Sequence, residues 1–168
     1  NDHFLGGTHL PDVTVIAPLF VAGELVAFVA NRAHHADIGS DTPGSMPIAT
    51  RLEDEGVIIA PTVLVRNAEL DRAQLDALLG GERHELHGDF AAQVSANRAG
   101  VQRLKTLVEG MGIDAWRRGL DDLNEYAQRL AESALALIPA GRYTFQDCLD
   151  DDGVGNRDLR IHATVEVM

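Results

Sequence analysis

Residues 9–37, HLPDVTVIAPLFVAGELVAFVANRAHHAD, decide the fold. Two runs rich in β-branched and aromatic residues, 13–21 and 25–30, flank Ala22-Gly23-Glu24, which is a hairpin signal. A two-residue turn at Ala22-Gly23 sets Val21 opposite Glu24 and fixes the pairing of every later rung. Both runs are continuously apolar, so burial on both faces is expected. The register turns the polar residues at the strand ends into a spatial statement. His34 falls opposite Pro11 and His9 opposite Ala36, which makes His9 and His34 diagonal neighbours on one face, about 7 to 8 Å apart at Cα. Asp12 belongs to the other face of a regular strand, but Pro11 donates no ladder bond, and a His-Leu-Pro-Asp turn can bring the carboxylate back beside His9. His35 faces away from His34 unless a bulge exchanges the two.

Two imidazoles and a carboxylate form a donor set suited to Mn, Fe or Zn, with the remaining positions open to water or substrate. His9, Asp12 and His34 are therefore the candidate metal ligands. His35 and Asp37 are candidate catalytic residues that orient a ligand imidazole from behind. The plainer alternative is a pair of strand-end histidines with Asp12 capping a turn. An iron oxygenase triad fits less well, because the spacing here is His-x-x-Asp and not His-x-Asp.

Outward from this stretch, a loop rich in Gly, Pro and Ser (residues 39–47) precedes a third apolar run, residues 56–65, which Pro61 makes an edge strand or two short pieces. From Leu70 the period becomes helical. Asp71 caps a short helix through Leu79 that Gly80-Gly81 ends. Phe90, Val94, Asn97, Val101, Leu104 and Val108 then form one buried stripe, with Asn97 fixing register on it. A second stripe runs Ile113, Trp116, Leu120, Leu123, Ala127, Leu130, Ala134 and Leu137, reversed at Gly110-Met111-Gly112 into an antiparallel helical hairpin. Residues 142–148 and 159–167 alternate as strands around the acidic turn 150–155, which reads as a solvated turn and only superficially as a calcium loop. Cys148 is expected to be a buried strand thiol, and His84 and His87 to face solvent. The fold class is α+β: N-terminal antiparallel β-hairpins and loops, a long antiparallel helical hairpin and a C-terminal β-hairpin. It divides into a β-rich metal-site region (1–66), a helical region (70–139) and a C-terminal hairpin (140–168).

Of the 168 residues, 45% are hydrophobic and 24% charged, as in ordinary globular proteins. Against 14 basic residues stand 26 acidic ones, a net charge of −12 that repels polyphosphate and anionic lipid, so no nucleic-acid or membrane partner is expected. The single cysteine forms no internal disulfide, which favours a cytoplasmic location. No phosphate-binding G-x-x-x-x-G-K-[ST] occurs. With no initiator Met, the chain is expected to be an internal piece of a longer protein.

Gly6-Gly7-Thr8-His9-Leu10-Pro11-Asp12, Asn31-Arg32-Ala33-His34-His35-Ala36-Asp37 and Pro43-Gly44-Ser45-Met46-Pro47 resemble the hydantoinase B/oxoprolinase family. So do Glu55-Gly56-Val57, Ala92-Gln93, Ala96-Asn97-Arg98 and Tyr143-Thr144-Phe145, so that the likeness spans essentially the whole chain. The resemblance implies part of the B subunit of an ATP-dependent hydrolase of cyclic amides, bearing a divalent metal, with ATP handled by a partner hydantoinase A-type subunit. It implies His9, Asp12 and His34 as ligands. A ketone carboxylase subunit of the same family, or a non-catalytic assembly module of the complex, are the alternatives. Departures are Asn1-Asp2-His3-Phe4, where the family reads Asn-Asp-Pro-Tyr, and Gly39-Ser40, where it reads Gly-Gly.

Overall fold

A computed structural model describes residues 1–168 except Asp41, Ser45, Met46 and residues 80–83, with the backbone alone at residues 84–86. Parts of the 39–47 loop, the Gly80-Gly81 helix stop and the His84 side chain thus lie outside the described residues. Two units follow one another, Asn1–Met111 and Gly112–Met168. The boundary falls inside the helical region.

The first unit opens with a 3₁₀ turn at His3–Leu5, then pairs β1 (Asp12–Val21) with β2 (Glu24–His34). Ala22 and Gly23 both have positive φ (50° and 83°), as a two-residue turn matched to strand twist requires. The ladder starts as expected, Val21 opposite Glu24 and Phe20 opposite Leu25, and then a bulge intervenes between Leu19 and Phe20. Leu19 pairs with Ala27, and the shift carries to the far end, where Asp12 pairs with His34. The expected pairing of His34 with Pro11 is thereby corrected by one residue. The extra residue at the bulge, Val26, is what a regular count from the turn leaves out.

Burial on both faces is also corrected. Val13, Val15, Leu19 and Val21 are buried, whereas on the other face Ile16 and Phe28 are 60% and 62% exposed. α2 (His84–Met111) covers the buried face, running along β1 and β2. The fit is geometric: four residues of helix rise about 6 Å and two residues of strand about 6.6 Å, so side chains one helical turn apart meet alternate strand residues. Accordingly, Gln93 Nε2 donates to the Val13 carbonyl (2.8 Å) and Asn97 Nδ2 to the Val15 carbonyl (2.9 Å). Gly100 permits the close approach, since a Cβ there would stand 2.8 Å from Val29 Cγ1. Of the expected stripe, Phe90, Val94, Asn97 and Val108 are buried, while Val101 and Leu104 are only half-buried.

The 56–65 run is not a strand. Only Val65–Arg66 (β3) pairs, with Glu69–Leu70 (β4). Upstream, Gly56 has φ 128° and no room for a Cβ, which would lie 2.7 Å from Ile38, while the Val57 N–H goes to the Ile38 carbonyl (2.8 Å). These backbone groups find partners outside any ladder, and Pro61 offers no N–H to one. The buried Ile59 still joins Leu10, Val13, Val15, Ile38, Leu75, Leu79, Phe90 and Val94 in one core. α1 (Arg72–Leu78) starts where expected, Asp71 accepting from the Gln74 N–H (3.0 Å). His87 is part-buried against Asp76 (2.7 Å) and not solvent-facing.

In the second unit, α3 (Ile113–Leu135) follows Gly112, whose φ of 83° breaks the helical path. None of its residues is buried, and Leu123 is 60% exposed, contrary to the expected buried stripe. β5 (Gly141–Asp151) and β6 (Arg157–Val167) pair in the expected hairpin. Cys148 is exposed, because both faces of β5 are. In the acidic turn the Asp152 carboxylate accepts from Asn156 Nδ2 and from the Val154 and Asn156 N–H groups. Those bonds, the Asn156 side chain first, hold its carboxyl below the usual range and use it for the turn itself. Among the described residues no helix is long and apolar enough to cross a membrane.

Truncating Phe90 to Ala should cost about 3–5 kcal/mol of unfolding free energy. Leu123→Ala should stay within about 0.5 kcal/mol. Urea denaturation of the two variants beside the parent chain checks both, and equal losses would contradict the burial described.

Candidate functional site

His9 to Asp12 forms the turn that enters β1, with the Asp12 N–H donating to the His9 carbonyl (3.0 Å). That turn returns the Asp12 carboxylate to within 3.5 Å of His9 Nδ1, as the sequence suggested. Thr8 Oγ1 donates to the same oxygen, Oδ2, at 3.2 Å, a contact the sequence reading did not anticipate. Because of the bulge, Asp12 lies directly across from His34, on the exposed face and not on the opposite one. The His9 and His34 rings stand 5.2 Å apart between centroids. Each pair of the three candidate ligands is thus in proximity. Among the described residues, no group of three or more His, Cys, Asp or Glu side chains is arranged to hold a metal ion as it stands.

His35 lies on the other side of β2, buried. Its N–H continues the pairing to the Pro11 carbonyl (2.8 Å), and its ring packs edge-on against Phe90 at 4.6 Å. Nε2 bonds Gln93 Oε1 at 2.8 Å. Gln93 Nε2 is engaged by the Val13 carbonyl and Asn31 Oδ1, so Oε1 is the acceptor and His35 Nε2 the donor, which leaves Nδ1 as a buried atom with no partner. Asn31 Nδ2 extends the network to the Gln93 carbonyl and Asn97 Oδ1. Beyond His35, the Ala36 N–H goes to Asp89 of α2 (3.0 Å), and Asp37 accepts the Gly39 N–H (2.6 Å).

A second support was not legible in the spacing. Asn1 Nδ2 donates to the carbonyls of Leu10 (2.8 Å) and Val57 (2.9 Å), and Oδ1 accepts the Ile59 N–H (2.6 Å). Leu10 is the second residue of the His9–Asp12 turn, so this one amide staples the turn to the 57–59 segment. Gly7 makes room for it, since a Cβ would lie 2.2 Å from the Asn1 carbonyl oxygen.

A family profile described as Hydantoinase B/oxoprolinase matches residues 1–168. Caprolactamase subunit beta of Pseudomonas jessenii is 32% identical over 99% of the chain and 29% of its own length. A 5-oxoprolinase of Saccharomyces cerevisiae is 40% identical over 90% of the chain and 13% of its own. The crystal structure of ATP-dependent caprolactamase from Pseudomonas jessenii superposes with a TM-score of 0.89 at 31% identity, covering 100% of this chain and 30% of that one. The chain therefore spans less than a third of each of these relatives.

Replacing Asn1 with Ala should destabilise the first unit by about 1–3 kcal/mol, since it strands buried backbone groups. Hydrogen exchange at the Ile59 amide should accelerate in parallel, and unchanged protection there would contradict the staple.

Proposed function

The chain belongs to the hydantoinase B/oxoprolinase family, and from that we propose that it is the metal-site portion of a B-type subunit of an ATP-dependent enzyme that hydrolyses a cyclic amide. The observation carrying this reading is the placement of Asp12 across from His34 with His9 folded onto Asp12. The chemistry of the donors, two imidazoles and a carboxylate, fits a divalent Mn, Zn or Fe ion, which His9, Asp12 and His34 would hold. Once bound, such an ion supplies Lewis-acid polarisation of a carbonyl or of water. The chain's own residues set the stage for it. The His9–Asp12 turn and Thr8 orient the carboxylate, and the buried His35 fixes the peptide that carries His34, acting through the backbone and not through a contact with substrate. Asp37, by taking the Gly39 N–H, holds the chain leaving the site.

The names of the relatives, a caprolactamase subunit and a 5-oxoprolinase, support a lactam substrate over a ketone. The words "ATP-dependent" and "subunit beta" support a companion A-type subunit that handles ATP. One observation favours a second reading, an assembly module: α3 presents an apolar stripe with no buried residue.

In the full-length subunit with its partner, elemental analysis should find near-stoichiometric metal. His9→Ala and Asp12→Ala should lose it and lower kcat by about 100-fold or more. A complex without stoichiometric metal contradicts the proposal, and unchanged turnover in both variants favours the assembly module.

A further inference from the structure

Side chains alternate along a strand, so the rungs that share the exposed face with Asp12–His34 can be read off the register. The next is Thr14–Arg32, followed by Ile16–Ala30 and Pro18–Phe28. Arg32 Nε donates to Thr14 Oγ1 at 2.9 Å, which fixes the plane of the guanidinium. Both Nη groups, four N–H donors in a fork, have no bond among the described residues.

Acidic groups outnumber basic ones 26 to 14, and Arg66, Arg129, Arg142 and Lys105 each lie within 4 Å of a carboxylate. No such carboxylate is described for Arg32. Among the described residues Arg51, Arg103 and Arg160 likewise have no carboxylate within 4 Å, and what sets Arg32 apart is its place on the rung next to Asp12–His34. The acidic side chain on the neighbouring rung, Asp12, is engaged by His9 and Thr8. A fixed arginine fork with unmet donors matches the geometry of a carboxylate or phosphoryl group.

We propose that Arg32 is the anion receptor of the site, taking the carboxylate or phosphoryl oxygens of a small substrate whose amide lies at the His9–Asp12–His34 cluster. This rests on the functional reading above. The rungs are two residues apart along each strand, roughly 6.5 to 7 Å, a span suited to a single small ring between its reacting carbonyl and a charged substituent. The apolar rungs beyond offer no further charge, so one anionic group is recognised and not a run of them.

The two sources of the anion separate by titration calorimetry on the full-length subunit in complex with its partner, using 5-oxoproline, inorganic phosphate and the neutral lactam caprolactam as probes. With Arg32→Gln, binding of at least one anionic probe should weaken about tenfold or more while caprolactam is unchanged. Loss for 5-oxoproline alone assigns the fork to a substrate carboxylate. Loss for phosphate assigns it to a phosphoryl group. Arg32→Lys should recover part of the affinity, and Thr14→Val should lose part by freeing the fork. The proposal is overturned if the parent complex binds neither anion, if Arg32→Gln leaves both affinities unchanged, or if caprolactam weakens equally. Metal content measured on the same samples should be retained in Arg32→Gln, so a metal-free parent complex refutes the metal reading separately from the arginine.

Discussion

Two amide side chains on one helix, Gln93 and Asn97, reach two carbonyls on one strand, Val13 and Val15, and the rest of the first unit is arranged around that lock. A buried amide left without partners costs roughly what a hydrogen bond contributes or more, so α2 is held to one position along the strand. The same Gln93 receives His35, and Asn31 closes the network from β2. Both strands of the hairpin are thereby tied to the same helical turns. With that face fixed, the opposite face can carry polar, reactive side chains without contributing to its own support.

The bulge between Leu19 and Phe20 decides what the free face presents. In a regular ladder Asp12 and His34 would occupy opposite sides of the sheet. One extra residue in β2 brings them into register, and the turn at His9–Asp12 adds the second imidazole. Convergence of the three groups therefore depends on a defect in the pairing, on a turn, and on the Asn1 staple that holds the turn's second residue. Such local irregularities recur near functional sites because they re-aim side chains that a regular strand would separate.

Much of this was legible in the order of residues. Ala22-Gly23 specified the hairpin, Asp71 the start of α1, the spacing from Phe90 to Val108 the buried stripe of α2, and the Pro11 turn the approach of Asp12 to His9. Other features were not. The bulge leaves no mark in composition, since Val26 is as apolar as its neighbours. Apolar character in Ile16, Phe28 and Leu123 was read as burial, yet hydrophobicity states only that a surface favours cover, and no described residue supplies it here. The 56–65 run has strand-like residues, but Gly56, Pro61 and the Asn1 amide divert its backbone from any ladder. The Arg32–Thr14 contact was hidden because it follows from a register set by the bulge, and the Thr8 contact because it depends on the local course of the turn before β1.

The proposed function requires that His9, Asp12 and His34 share a single cation. Anomalous scattering at the absorption edge of the metal found in crystals of the full-length complex tests it most directly. The account requires a peak bonded to all three side chains. Ordered density for the three with no peak among them, or a metal ligated by other residues, would contradict it.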